Sequence, residues 1–220
     1  MIMESIRSEL SSRYIELEKF VQLLRSLENS HDMNSPKRTL KGLFFVHAYS
    51  IIEYVIYATV NEAINAINSS SVNLSDIKCI MLSLALSSKI SSIKDVGRNK
   101  IWHKKVELFN EFNINPLVSI DDSLMPTDGR NITTSQLHSI WNVFCIDLPI
   151  VPRPELNSRV NDITGNRRSI SHGRNKPEEV GRRYTDTEIK RIKDDVNEIS
   201  EYIVNIFSNY CDRQLYKKNT

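Results

Sequence analysis

Between Leu40 and Ile67 a helix would be apolar over much of its circumference, because Leu43, Phe44, Val46, Ile51, Ile52, Val55, Ile56, Val60 and Ile64 recur at helical spacing. A helix of that kind must be surrounded by others, so this run dictates a helical bundle with a buried central member. Ser35-Pro36 supplies an N-cap followed by proline at the first helical position. His47, Glu53, Asn61 and Glu62 interrupt the run and argue against a membrane span. His47 and Glu53, six residues apart, fall on different faces. They read as the polar edge of a mostly buried helix rather than as an acid/base or metal pair.

The flanking segments supply the other helices. Residues Ile2 to Leu27 place Ile6, Leu10, Tyr14, Leu17, Val21 and Leu24 on one face. Ser75-Asp76 opens a further helix through Ile77, Ile80, Met81, Leu84, Leu86 and Ile90; Gly97 ends it before a short helix from about Asn99 to Phe112. From residue 113 to residue 134 the periodicity disappears and Pro116, Pro126 and Asp128-Gly129 mark turns. This is an irregular excursion, with room for a short hairpin, that would cover one end of the bundle. A short helix follows from Thr133 to Phe144, and Pro149, Pro152 and Pro154 then force an extended approach to a helix ending at Ser171. Thr185 and Glu188 form a capping box before the final run to Leu215, whose Ile189, Ile192, Val196, Ile199, Ile203, Ile206 and Tyr210 form a seam for its own chain or for a second copy. The expectation is one all-α domain over residues 1–220, a bundle of about five to seven helices with a single irregular excursion.

Composition narrows the function classes. Six Gly and seven Pro are too few for a turn-rich β-sandwich. A formal net charge of +2 leaves any electrostatic argument to local clustering. Cys79, Cys145 and Cys211 are odd in number, far apart and set among apolar neighbours, which fits reduced core thiols and no zinc spacing. The N-terminus lacks the charged-then-apolar order of a signal peptide, so a cytoplasmic protein without membrane attachment is expected. Trp102 and Trp141 fall on apolar helix faces and are expected in the core, although they, like Tyr184, could also stack on bases. The sequence holds no Walker-type glycine loop, no Gly-x-Ser-x-Gly elbow and no His-Glu-x-x-His pair.

One segment concentrates charge and chemistry. From Asn166 to Arg183 the chain carries Arg167, Arg168, Arg174, Lys176, Arg182 and Arg183 against Glu178 and Glu179, a net +4 that leaves −2 for the rest. That is the footprint of a phosphate-binding surface; the plainer reading is a solvated basic loop after a helix. Arg167 and His172 enclose four residues. So do Arg98 and His103, and Arg25 and His31 enclose five. Only His172 comes at a helix end marked by glycine, whereas His103 precedes Lys104 and Lys105 on a solvated basic face and His31 lies in a polar loop. Residues five apart on a continuous helix point about 140° from each other, so the turn at Gly173 is expected to bring the two groups together.

The segment Asn166-Arg167-Arg168-Ser169-Ile170-Ser171-His172-Gly173 resembles the signature of the HEPN family, an Arg separated from a His by four to six residues at the end of a helix. Ser171 matches the small residue before the His, and Arg168 departs from the neutral amide that often follows the Arg. The basic turn Arg174-Asn175-Lys176, the capped final helix with Tyr210, Arg213 and Tyr216, and the central helix with Tyr49, Glu53 and Tyr54 are similar to bacterial HEPN-like nucleases. The resemblance implies a HEPN-like bundle and a metal-independent RNA endonuclease without cofactor. It implies a homodimer with facing motifs and work in a toxin-antitoxin or antiviral setting beside an antitoxin or defence partner protein. Histidine can exchange the proton of a 2′-hydroxyl, and arginine can hold charge on phosphoryl oxygens. The expected catalytic residues are therefore Arg167 and His172, with Arg168, Ser171, Arg174, Lys176, Arg182 and Arg183 contacting RNA. Two rivals remain: a non-catalytic HEPN module that binds RNA, a nucleotide or a protein, and a structural protein whose last helix is a dimerisation seam.

Overall fold

A computed structural model of the chain describes residues 3–27, 34–127 and 129–218. His31 and Asp128 lie outside the described residues. Among the described residues the structure is all-α, with helices α1 (Glu4–Ser26), α2 (Asn34–Ser69), α3 (Leu82–Ala85), α4 (Ser87–Asp95), α5 (Ile101–Ile114), α6 (Thr134–Val143), α7 (Leu156–Ser171), α8 (Pro177–Gly181) and α9 (Asp186–Asp212). No strand is present among these residues, so the short hairpin allowed for the excursion does not form there; isolated bridges instead join Asn73 to Leu117 and Ile77 to Lys217.

The apolar run becomes α2, which α1, α7, α8 and α9 surround. By length and composition α2 could cross a bilayer, yet its apolar side chains are the centre of the core, with Phe44, Phe45, Ile51, Val55, Ile56, Ala63, Ile64 and Ile67 fully buried. Ser35 and Pro36 fall inside its first turn, not at its cap. Helix α9 begins with the expected capping box: Thr185 Oγ1 accepts from the Glu188 N–H at 3.2 Å and the Glu188 carboxylate accepts from the Thr185 N–H at 2.6 Å. Its seam is buried against α2 and α1 of the same chain. The reading of that seam as a dimerisation surface therefore fails, because a seam already covered offers no apolar area to a second copy.

There are more helices than expected, for a physical reason. On one continuous helix Ile77 and Leu86 would point to opposite sides, nine residues at 100° each. Both are buried here, because the segment breaks into 3₁₀ turns at Leu74–Asp76 and Cys79–Met81, then α3 and α4. The break turns Ile80 and Cys79 outward, so Cys79 is exposed rather than a core thiol. Cys145 is half-buried and Cys211 buried. Trp141 packs in the core edge-on to Phe207. Trp102 does not: α5 buries no residue at all, and Trp102 is 74% exposed.

The excursion after α5 starts at Asn115, which is left-handed at φ 48°. Val118, Ile120 and Ile132 anchor it to the core, and the Asn68 side chain pairs with both backbone groups of Ile120 at 2.8 Å.

Candidate functional site

Helix α7 ends in a Schellman turn. Gly173 takes φ +67°, the Arg174 N–H donates to the Ser169 carbonyl at 2.9 Å, and the Gly173 N–H donates to Ile170 at 3.0 Å. The Ser169 hydroxyl donates to the Asn175 side chain and ties the turn back to the helix. His172 is the C-cap, with a near-helical backbone (φ −94°, ψ 8°) and its N–H on the Arg168 carbonyl. Its imidazole is exposed and has no hydrogen-bond or ion-pair partner among the described residues.

Arg167 is held differently. Its guanidinium lies over the Tyr49 ring, 4.5 Å from the centroid, and Nη1 donates to Asn131 Oδ1 at 3.0 Å. Tyr49 is itself fixed, because its hydroxyl donates to Glu53 at 2.9 Å and accepts from the Ile132 N–H at 3.0 Å. The Thr164 hydroxyl donates to the Ile132 carbonyl at 2.6 Å, one turn before Arg167 on the same face of α7. Burial, with Glu53 beside it, pushes the Tyr49 phenol up to about 12, so it stays a protonated donor at neutral pH. Arg167 forms no salt bridge among the described residues. It keeps its full charge and most of its five N–H donors for an anion.

The turn and α8 carry the remaining expected residues. Arg168, Ser171, Arg174, Lys176, Arg182 and Arg183 are all exposed, and none of these cations forms a salt bridge among the described residues. Their placement depends on two backbone contacts. A Cβ added at Gly42 of α2 would meet the Pro177 carbonyl oxygen at 2.0 Å, and one at Gly181 of α8 would meet the Arg38 carbonyl oxygen at 1.8 Å. Only glycine allows α8 to lie this close on α2. Tyr184 follows α8 and is used structurally: its ring packs 4.6 Å from Phe45, its hydroxyl accepts from Asn166 at 2.8 Å, and its carbonyl accepts from Lys41 at 3.0 Å.

The structure thus gathers Arg167 with Tyr49 and Asn131, and His172 with the open basic turn. Among the described residues Arg167 and His172 share no hydrogen-bond, ion-pair or ring partner. The left-handed turn at Gly173 falls after His172 and leads the chain into α8.

The other histidine patterns separate as expected where they are described. His103 is a surface residue 3.0 Å from Glu107. His47 is half-buried beside Glu16, and burial pushes its pKa down. Among the described residues no group of three or more His, Cys, Asp or Glu side chains could hold a metal ion.

Sequence reasoning missed Asn131, Gly42 and Gly181. Tyr49 and Glu53 carried a signal in their four-residue spacing on α2, whereas Asn131 sits in an aperiodic stretch that gives none. No match was found among curated proteins or among solved structures. A family model described as MAE_28990-like HEPN matches residues 2–216, so that nearly the whole chain, with the helical architecture and the Arg167 to His172 segment, belongs to the HEPN family.

Proposed function

We propose that this HEPN protein is a metal-independent RNA endonuclease whose active site is composed by two copies of the chain. Family membership supports a nuclease-like or nucleotide-binding module. The finer reading rests on one observation: among the described residues, a pre-positioned Arg167 without a carboxylate partner stands on the same helix as an open, unpartnered His172, amid cations that close no salt bridge. In this reading the Arg167 and His172 of facing motifs complete each other in a homodimer.

In the reaction a histidine takes the proton of the 2′-hydroxyl as that oxygen attacks phosphorus. Arginine holds the charge that grows on the phosphoryl oxygens, and a protonated histidine gives its proton to the departing 5′-oxygen. The products are a 2′,3′-cyclic phosphate and a 5′-hydroxyl, so no external oxidant or cofactor enters the balance. Arg168, Ser171, Arg174, Lys176, Arg182 and Arg183 hold the flanking backbone, and each lysine or arginine on a phosphate adds about 0.7 to the salt slope of binding to a single strand. A toxin-antitoxin or antiviral role with a cognate partner protein is part of the same proposal.

Purified protein incubated with mixed RNA in EDTA tests it. Cleavage with cyclic-phosphate ends, abolished by His172→Ala without loss of helicity, is the expected result. Equal cleavage by the variant, or intact RNA at high protein concentration, refutes it. A second reading, a non-catalytic RNA-binding module, is favoured by the engagement of Arg167 with Tyr49 and Asn131 and by the extra charge of Arg168. Salt-sensitive binding with intact RNA would select it.

A further inference from the structure

The fold brings all three cysteines, far apart in sequence, around one side chain, Tyr210. Its hydroxyl donates to Met81 Sδ at 3.1 Å, in the 3₁₀ turn that begins with Cys79. Its ring stands edge-on to Phe144, the neighbour of Cys145, with centroids 5.7 Å apart. Cys211 follows it on α9. The same 3₁₀ turn packs against α6, whose end carries Phe144 and Cys145.

Cys79 and Cys145 differ in what they meet. Cys79 is exposed, and its backbone is fixed on either side: the Lys78 N–H donates to the Tyr216 carbonyl at 2.9 Å and the Met81 N–H to the Lys78 carbonyl at 3.0 Å. Cys145 is half-buried and left-handed at φ 53°, a conformation that L side chains rarely adopt. The Ile146 N–H, on the Trp141 carbonyl at 2.9 Å, holds it there, so the chain leaves its helical path at this residue. Cys145 lines a cavity of about 270 Å³ together with Lys78, Ile206, Tyr210 and Leu215. Cys145 and the residue beside Cys79 thus face one space, which gives the Cys145 side chain room to turn. Burial pushes the Cys145 thiol above its ordinary value, Lys78 pulls it down and Cys79 adds to the rise, so both residues of the turn act on this thiol through space.

We propose that Cys79 and Cys145 form a dithiol pair that a hydroperoxide converts to a disulfide within one chain. The division of labour follows from exposure. An accessible thiol beside a lysine meets the oxidant first, and a sheltered neighbour resolves it. Cys79 Sγ, as the thiolate, attacks the peroxide: an S–O bond forms, the O–O bond breaks, and water or an alcohol leaves with the proton that Cys79 released. Cys145 Sγ then attacks the sulfenic sulfur; the S–S bond forms, the S–O bond breaks, and the oxygen leaves as water with the Cys145 proton. The pair loses two electrons and the peroxide gains them. Cys211 takes no part, since it is 5% exposed and burial pushes its thiol up to about 12.

The proposal is independent of the nuclease reading, since no residue of the motif takes part.

Intact mass and tryptic mapping of the full chain test it, after brief treatment with a small excess of hydrogen peroxide, quenching, and alkylation of the unfolded protein. The expected product is a monomer with Cys79 joined to Cys145 and Cys211 alone alkylated, and dithiothreitol should return all three thiols. Cys211→Ser should oxidise as the wild type does. Cys145→Ser should stop at a Cys79 sulfenic acid that dimedone traps. The wild-type map alone decides the matter should either variant lose helicity. Three alkylated thiols after oxidation of the wild type, a bridge that includes Cys211, a Cys79 to Cys79 dimer as the main product, or a folded Cys145→Ser that traps no more dimedone than the wild type overturns the proposal.

Discussion

Gly181→Ala tests how the basic turn is held in place. The added Cβ would stand 1.8 Å from the Arg38 carbonyl oxygen, and that atom belongs to the backbone of α2, which cannot rotate aside. Restoring ordinary contact requires α8 to withdraw by about 1.5 Å, which loosens the buried Val180 from the core. Overpacking of this kind costs typically 1–3 kcal/mol, and a clash between two backbones belongs at the upper end, about 3 kcal/mol. For a chain of this size that lowers Tm by roughly 6–12 °C. The matched control is Gly165→Ala, also in a helix, where a Cβ meets nothing within 4 Å. There the substitution should stabilise by about 0.4–1 kcal/mol through lost unfolded-state entropy. Differential scanning calorimetry of the pair decides the matter. If Gly181→Ala melts within about 2 °C of wild type, or above Gly165→Ala, the close approach of α8 to α2 is wrong. RNA binding should weaken in Gly181→Ala alone, since Lys176, Arg182 and Arg183 move with α8.

Tyr49→Phe keeps the ring under Arg167 but removes the acceptor of the Ile132 N–H and the donor to Glu53. Urea denaturation should show a loss of about 1–3 kcal/mol, and kcat for RNA cleavage should fall less than in Arg167→Ala; a larger fall would mean that the hydroxyl acts on the substrate. Acid should destabilise the fold in part through Glu18, whose hydrogen bond from Lys193 holds its carboxyl below the ordinary value of 4.5. The contribution is complete above that value and is lost as pH falls through the lower folded pKa. Lys193→Met should flatten this limb of the stability curve, and an unchanged slope would refute the pairing.

Much of the architecture was legible because it rests on periodicity. The apolar run of α2, the Thr185 and Glu188 box and the Gly173 stop are local patterns whose physics is complete within a few residues. The segment from Leu74 to Asp95 misled because its apolar residues satisfy a helical template on average while Leu86 needs the opposite side of it. Only the available core surface could decide that the helix breaks. Trp102 misled in the same way: amphipathic spacing reports that a face is apolar, not that the chain has anything to put against it.

At the candidate site the division is sharper. The sequence alone determined that an arginine and a histidine stand five positions apart at a glycine-stopped helix end, followed by a cluster of positive charge, since those are facts of order along the chain. Tertiary structure decided that Arg167 is held over Tyr49 and beside Asn131, that His172 is left open, and that Gly42 and Gly181 let α8 rest on α2. The contacts at Arg167, Gly42 and Gly181 join residues between 36 and 143 positions apart. Contacts of that range exist only once the chain has closed on itself, and no local pattern encodes them.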